Sequence, residues 1–445
     1  MAVMSHISIK TSLQSSKLTI SDKRKQMDRK QTTTKTFLGP LCSVLLLLAG
    51  CDEFRIDMFD KTEVKLEIGS IDTPVVPANT QFGFNLFDEI RKTEQDTNIF
   101  ISPFSVSLAL AMTLNGAAGE TEQAMTGTLQ LQGLDTEAIN IGYAALRHTL
   151  LTADPKVTLA IANSLWARQG VPFNQSFLQR NAQFFGAEIS TLDFTDPRTV
   201  ETINQWVDTN TNGKITKIFD EINPAAVLFL INAIYFKGTW QEEFDPSKTR
   251  EGPFHLVNGD VKQVPMMRQE RRYPYYRGER FQAIRLAYGD GRMSMYIFLP
   301  DRESDLNTFL ENLNAKSWEN WMSQFHGQDV SLVMPKFKLE YERMLNNPLK
   351  VLGMDVAFDS GRADFSRMAP LENLGENLYI GEVLHKTFVE INEEGTEAAA
   401  VTSVGVRATS VPPPPIPFTV DRPFFFAIRD NQTKTDLFMG VLMKL

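Results

Sequence analysis

The chain has 445 residues, of which 42% are hydrophobic and 22% are charged, a composition typical of a globular protein with one large domain or two smaller ones. Its formal net charge is −9. Residues 1–51 carry eight Lys/Arg and two Asp/Glu, so residues 52–445 hold 37 Lys/Arg against 52 Asp/Glu, a net charge of −15. Such an acidic body argues against nucleic acid as the main partner.

The N-terminal region has the pattern of a targeting segment. Basic residues precede the apolar run FLGPLCSVLLLLAG, whose 14 residues before Cys51 are too few to cross a bilayer comfortably. The end of this run, LAGC, resembles a bacterial lipobox, in which the cysteine thiol receives the lipid. We therefore expect residues 1–50 to be a signal peptide of the lipoprotein type, with Cys51 as the lipidated residue and an ordinary secretory signal as the alternative. The usual length of such peptides favours Met27 over Met1 as the start.

This interpretation predicts a protein held by its lipid anchor in the bacterial cell envelope, on the periplasmic side or outside the cell. Residues 51–77 mix charged and scattered apolar side chains and are expected to tether a domain that covers residues 78–445. The chain has two cysteines, Cys42 and Cys51, so the processed protein would retain one and could form no internal disulfide.

Hydrophobic periodicity predicts helices first and long strands later. An apolar stripe predicts a helix over 79–92, a Ser–Pro start predicts a second over 102–117, and TINQWVDTNTNGKI predicts the polar end of a third. Strands are predicted at 226–236, 293–300, 329–341, 385–392, 421–430 and 436–444. This order indicates an α+β protein with antiparallel or mixed sheets.

The sequence lacks the common catalytic motifs. None of the five histidines lies in a His-Glu-x-x-His motif, and there is no Gly-x-Ser-x-Gly elbow or phosphate-binding loop. The stretch DTNTNGKITKIF, residues 208–219, matches the start of a calcium-binding EF-hand loop. Phe219, however, stands where that loop needs a bidentate glutamate, so the stretch is better interpreted as a helix-ending turn. We expect no metal site and no cofactor.

A series of collinear segments between residues 78 and 445 resembles the serpins, the serine protease inhibitor superfamily. They are NIFISPFSVSLALAMTLNGAAGET, ANSLW, INQWVDTNTNGKI, LINAIYFKGTW, MYIFLP, MPKFKLEY, HKTFVEINEEGTEAAAVT and FTVDRPFFFAI. The resemblance implies an α+β fold of three β-sheets and about nine helices, with an exposed reactive-centre loop between EEGTEAAAVT and RPFFF. It implies a protease inhibitor rather than an enzyme.

The stretch that leads into this loop contains no side chain larger than valine from Ala398 to Val406. The resemblance implies that the loop, once cut by a protease, inserts as a new strand into the large sheet. Alternation along that strand would bury Thr396 beneath the sheet and turn Glu397 to the opposite face. Gly395 would act as the pivot. The implied hinge consists of Glu393, Glu394, Gly395, Thr396, Glu397, Ala398, Ala399 and Ala400.

The resemblance also assigns structural roles within the sheet. The implied polar "shutter" beneath its centre consists of Asn98, Ser102, Ser105, Asn232 and His385. The implied "breach", where the loop first enters, contains Trp240 and Lys336 together with Glu393, and we expect Lys336 and Glu393 to form an ion pair.

The bond that the protease cuts is placed by counting from Glu393. The count gives Thr409 and Ser410, which would suit elastase-like or subtilisin-like enzymes with small specificity pockets. The segment VPPPPIPF that follows is longer than in a typical family member, which leaves Arg407 and Ala408, a bond for trypsin-like enzymes, as the alternative.

We therefore expect a suicide inhibitor that traps the acyl-enzyme, with serine proteases, or cysteine proteases as a second class, as partners. A non-inhibitory serpin that acts as a binding protein is the other alternative. The protein is expected to be a monomer that contacts the membrane only through its anchor and does not bind nucleic acid.

Overall fold

The computed structural model of the protein describes residues 2–11, 73–370, 377–395 and 413–445. Within these ranges the α-helices are α1 Val75–Thr93, α2 Pro103–Leu114, α3 Gly119–Thr128, α4 Thr136–Leu151, α5 Gln175–Phe185, α6 Arg198–Asn210, α7 Leu306–Glu311, α8 Ala315–Met322 and α9 Asn346–Leu349. No helix in this part of the chain has both the length and the apolarity that a membrane crossing requires.

The strands are β1 Ala2–Thr11, β2 Ile99–Ile101, β3 Val157–Arg168, β4 Ala187–Leu192, β5 Ala226–Gly238, β6 Arg250–His255, β7 Val261–Arg277, β8 Phe281–Ala287, β9 Met293–Pro300, β10 His326–Pro335, β11 Phe337–Met344, β12 Leu378–Ile391, β13 Ile416–Thr419, β14 Phe424–Asp430 and β15 Thr435–Leu442. The mixture of helices with large, mainly antiparallel sheets confirms the predicted α+β class.

One sheet has six strands in the order β11-β12-β1-β5-β3-β4. Strand β1 is antiparallel to both of its neighbours, β12 and β5, so β12 and β5 run in the same direction. A hydrophobic core lies on each side of this sheet: Ile7 and Ile9 belong to the larger one, Ala2 and Met4 to the smaller. The sheet is therefore buried on both faces near its centre.

The second sheet has nine strands, eight in the order β13-β10-β7-β8-β9-β14-β15-β2 and β6 paired with β7. The described strands thus form two hydrogen-bonded sheets, where the resemblance implied three. The 17-residue strand β7 explains the difference. Most of β7 pairs with β6 and β10, whereas its last residues, Tyr275–Arg277, pair with β8 and join the two halves.

The run 329–341, predicted as one strand, is two strands in different sheets. Strand β10 ends at Pro335 and β11 begins at Phe337. The alternation of buried residues changes phase between Met334 and Phe337, because the chain crosses from one sheet to the other at Lys336. The Lys336 amide donates to the Pro265 carbonyl at 3.0 Å at this crossing.

The helix-ending turn predicted within 208–219 is confirmed. Helix α6 ends at Asn210, and Asn212 and Gly213 follow with φ angles of +52° and +74°. The position that would carry a calcium-binding glutamate, Phe219, is buried against Phe229 at a ring-centroid distance of 4.8 Å.

Strand β1 is the largest departure from the sequence analysis. The sequence pattern predicts that residues 1–50 are a signal peptide and no part of the fold, yet residues 2–11 form a strand at the centre of the six-stranded sheet. Their register pairs Ala2 with Phe388 of β12 and Tyr235 of β5 at one end, and Thr11 with Leu378 at the other. The division of the chain at residues 50 and 77 stays a prediction.

Candidate functional site

The described part of the implied hinge is a tight turn at the end of β12. The amide of Gly395 donates to the Asn392 carbonyl at 3.2 Å, and the Asn392 amide donates back to the Gly395 carbonyl at 3.1 Å. Gly395 has a φ of +118°, and a Cβ there would lie 2.3 Å from the Gly238 carbonyl oxygen. Only glycine meets both conditions, so the chain turns back along β12 at this residue.

An ion pair lies beside this turn. Lys336 Nζ is 2.8 Å from Glu393 Oε2, and the Thr249 hydroxyl donates to Glu393 Oε1 at 2.8 Å. Burial by itself would raise the pKa of Glu393, but the hydrogen bonds from Lys336 and Thr249 give a net lowering. The carboxylate therefore stays charged and holds the start of the hinge to the crossing between β10 and β11. Its role in loop insertion remains a prediction.

Trp240, just after the end of β5, contacts the same turn. Its indole stacks on Tyr288 at a centroid distance of 4.3 Å, and its Nε1 donates to the Asn392 carbonyl at 3.0 Å. Its backbone amide donates to the Glu394 carbonyl at 2.9 Å. The ends of β5 and β12 are thus joined through the residues that the resemblance assigned to the breach.

Four of the five implied shutter residues meet beneath the centre of the six-stranded sheet. Ser102 caps the start of helix α2 and Ser105 lies in its first turn, while β5 contributes Asn232 and β12 contributes His385. The Ser105 hydroxyl donates to Asn232 Oδ1 at 2.5 Å, and the Ser102 amide donates to His385 Nε2 at 3.0 Å. Burial lowers the pKa of His385 to about 3, which keeps the ring neutral and able to accept this bond.

The fifth residue, Asn98, lies elsewhere. Its Oδ1 accepts from the amides of Met443 at 2.7 Å and Lys444 at 2.9 Å, and its Nδ2 donates to the Lys444 carbonyl at 2.8 Å. The amide group is thus hydrogen-bonded to the backbone that follows β15. The structure therefore does not bring Asn98 into the polar cluster, and its implied place in the shutter is corrected.

Sequence reasoning missed two members of the cluster, Asn163 and Ser5, and also the buried hydroxyl of Thr387, which bonds to the backbone of β2. Asn163 of β3 accepts from Asn232 Nδ2 at 2.7 Å and donates to the Phe185 carbonyl at 2.7 Å. The Thr387 hydroxyl donates to the Phe100 carbonyl at 2.6 Å. Ser5 of β1 lies 3.1 Å from the Ser105 hydroxyl. An asparagine inside the apolar strand pattern of β3 was a usable signal, since a buried amide needs partners.

Several predicted site residues lie outside the described residues, and their assignments stay predictions. They are Cys51, the hinge residues Thr396, Glu397, Ala398, Ala399 and Ala400, and the candidate bond residues Arg407, Ala408, Thr409 and Ser410.

The comparisons with known proteins agree with this geometry. The family model described as serpin (serine protease inhibitor) matches residues 77–445. The chain belongs to the serpin family. A leukocyte elastase inhibitor of Sus scrofa is 36% identical over 377 residues, covering 82% of this serpin and 98% of its relative. An uncharacterised serpin-like protein of Thermococcus kodakarensis is also 36% identical, covering 83% and 85% of the two chains.

A solved structure is similar as well. The thermophilic serpin tengpin in its native state shares 34% sequence identity with a TM-score of 0.74, covering 83% of this chain and 94% of tengpin. The family and its inhibitor members support serine protease inhibition as the activity of this serpin.

Proposed function

We propose that this serpin is a suicide inhibitor that is cut in its reactive loop and then inserts that loop between β5 and β12, trapping the protease as an acyl-enzyme. One observation carries the proposal. The space between β5 and β12, which we call the central slot, accepts a strand that is antiparallel to both walls along about the whole length of the sheet. Gly395 itself bridges antiparallel to both Asn392, after β12, and Thr239, after β5, at the end of that slot.

The energy of such an insertion is large enough to move a protease. When a strand of ten residues inserts between two neighbours, the one hydrogen-bonded ladder between them becomes two. The insertion therefore adds roughly ten backbone hydrogen bonds. At about 0.5–1.5 kcal/mol each, the net stabilisation is on the order of 5–15 kcal/mol. This energy is released only after the loop is cut, because an uncut loop is held at both ends.

We place the cut at Thr409–Ser410, which favours an elastase-like or subtilisin-like target. The name of the Sus scrofa relative, leukocyte elastase inhibitor, supports a target with a small specificity pocket. Arg407–Ala408 is the alternative bond, and it would direct the inhibitor to trypsin-like enzymes.

The test is incubation of the processed protein with an elastase, a subtilisin and a trypsin, followed by a denaturing gel and mass spectrometry. We expect an adduct with an elastase or subtilisin that survives denaturation, and a released peptide that begins at Ser410. A peptide beginning at Ala408 would move the target to trypsin-like enzymes. If no serine or cysteine protease in a broad panel forms an adduct, the inhibitor proposal is wrong.

For localisation we propose attachment to the bacterial cell envelope through a lipid on Cys51, since two or three acyl chains suffice for stable attachment. Labelled palmitate should enter the wild-type chain, and Cys51→Ser should prevent labelling and release the protein or block its processing. Labelling that persists in the Cys51→Ser chain would contradict the assignment.

A further inference from the structure

The occupant of the central slot is a segment of this chain from far outside the serpin domain. All ten residues of β1 pair with β12, with one register shift between Ser8 and Ile9, and nine pair with β5, with one register shift between Ile9 and Lys10. Every side chain described from Ala2 to Ile9 is at most 1% exposed. A segment held by two ladders and buried on both faces is bound as fully as any central strand.

Specific side-chain contacts fix this strand. The Ser5 hydroxyl lies 2.6 Å from His385 Nδ1 and 3.1 Å from the Ser105 hydroxyl, so it joins the polar cluster beneath the sheet. Ile7 enters the larger core on the same face. At the far end, Lys10 Nζ pairs with Glu382 at 2.5 Å. The register is therefore specified by polar, apolar and charged contacts together.

The reactive loop would use the same space in the same direction. Gly395 bridges antiparallel to Asn392 and Thr239, so a loop inserted from this turn would run antiparallel to β12, which is the direction of β1. Two strands cannot occupy one position in a ladder, so β1 and an inserted loop exclude each other.

The strand is also replaceable. Both ring nitrogens of His6 and the hydroxyl of Ser8 are buried without a hydrogen-bond partner in the described part of the chain, which is costly. Without Ser5, Ser105 would keep its bond to Asn232. Ser105 thus retains a partner when β1 leaves, and His385 Nδ1 loses the Ser5 hydroxyl. The small residues of the loop would bury no ring nitrogen in place of His6.

We propose that the central slot binds residues 2–11 of the same chain, and that this strand keeps the unprocessed chain from inserting its reactive loop. The regulatory half of this proposal rests on the proposed function. Processing at Cys51 removes the strand, and translation from Met27 never makes it. The unprocessed chain is therefore cut by proteases as a substrate, and only the shortened forms trap them.

The first test needs no protease. The full chain is made by cell-free translation without membranes, so that residues 1–50 stay attached, and its amide hydrogen exchange is followed by mass spectrometry. Residues 2–11 should exchange at least about a hundredfold more slowly than the synthetic peptide AVMSHISIKT. Exchange at the rate of that peptide would overturn the proposal, whatever the protease assays show.

The second test uses the variant Ile7→Lys in the full chain, which places a charge in the larger core. Gln14→Lys, which introduces the same side chain three residues after β1, is the control. Met4→Asp acts on the opposite face and substitutes if the first variant does not fold. With a protease that the processed protein traps, Ile7→Lys should raise the adduct yield at least about tenfold over the wild-type full chain, while Gln14→Lys should not.

The two proposals fail in different ways. Equal adduct yields from the wild-type full chain and Ile7→Lys would overturn the regulatory role of β1 and leave the inhibitor function standing. Slow exchange of residues 2–11 that is lost in Ile7→Lys would support binding in the slot even if no protease formed an adduct with any form, an outcome that removes only the proposed function.

Discussion

The two sheets are both fully buried at their centres but differ in chemistry. The six-stranded sheet covers a hydrogen-bonded polar cluster that includes Ser105 and Asn232. The nine-stranded sheet is filled by aromatic rings, with Phe100 stacked between Phe426 at 5.5 Å and Phe438 at 5.7 Å. Hydrogen bonds can be remade with a new strand of any sequence, whereas interlocked rings fit only one arrangement. The contrast supports the proposal that the six-stranded sheet exchanges a strand while the nine-stranded sheet stays fixed.

The largest expected effect is on stability, through the nine-stranded sheet. Phe426 is fully buried and also packs against Phe337 at 5.5 Å, so Phe426→Ala should cost about 3–5 kcal/mol in the free energy of unfolding. Denaturant unfolding of the purified protein measures it. A cost below about 1 kcal/mol would show that the aromatic packing does not fix this sheet.

The second effect concerns insertion into the slot. Thr396 is predicted to lie beneath the sheet after insertion, so Thr396→Arg would bury an unpaired charge at a cost of several kcal/mol. The adduct yield with a trapped protease should fall at least about a hundredfold, with cleavage continuing. The matched control is Glu397→Arg on the opposite face, which should keep most of the yield. Equal losses in the two variants would show that the buried face is assigned wrongly.

A third, smaller effect separates two asparagines that the resemblance placed together. Asn232→Ala leaves Asn163 without its donor and should cost about 1–3 kcal/mol. Since the lost bonds lie beneath the slot, the processed protein should also lose inhibitory capacity faster on incubation at 37 °C.

Asn98→Ala is the control for that experiment, because Asn98 binds the backbone after β15 rather than the polar cluster. It should destabilise the fold without speeding the loss of inhibition. If Asn98→Ala speeds inactivation as much as Asn232→Ala does, the cluster is not what controls opening of the sheet.

The smallest expected effect is a pH dependence of the opening of β1 in the full chain. Burial, and secondarily the charge of Lys10, lowers the pKa of His6 to about 3. The inserted strand therefore holds His6 neutral, while the released strand takes up a proton below about pH 6.5. The inserted strand should thus be stable near pH 7.5 and become less stable as the pH falls, with the opening of β1 roughly tenfold more frequent at pH 5.5. Hydrogen exchange of residues 2–11, corrected for its intrinsic pH dependence, measures this change.

Among the described residues, the charge that acts on the His6 ring is that of Lys10, on the same strand. The His6 ring contacts the rings of Phe219 and Phe229 and lies across from Leu384 and Ile231. His6→Leu should remove the part of the pH dependence that is due to His6. It should retain any part due to His385, which is present in both the wild type and the variant. An unchanged pH dependence in His6→Leu would exclude His6 as its source.

Much of the fold and part of the site could be predicted from the sequence. The predicted strand 293–300 matches β9 Met293–Pro300, since a short apolar run between turns has few alternatives. The ion pair of Lys336 with Glu393 and the turn at Gly395 are present as expected. These features depend on residues whose chemistry allows few other arrangements.

Other features could not be predicted because they depend on long-range placement. Residues 2–11 become a strand only because β5 and β12 offer a slot, and the basic, apolar pattern that follows them indicated a signal peptide. Asn98 precedes Ser102 by four residues, yet it stands just before β2 whereas Ser102 caps α2, and their side chains reach different sites. The alternation of apolar residues changes phase at the crossing at Lys336. Strand propensity is continuous through the crossing, however, so the sequence predicts a single strand.

The most direct test of loop insertion is the thermal unfolding of the processed protein before and after a single cut in the reactive loop, with no protease bound. Insertion of a central strand worth on the order of 5–15 kcal/mol should raise Tm by roughly 5–20 °C for a domain of this size. The six-stranded sheet should then show slower amide exchange along β5 and β12. A cut protein that melts no higher than the intact one would contradict the account, because the central slot would then not accept the loop.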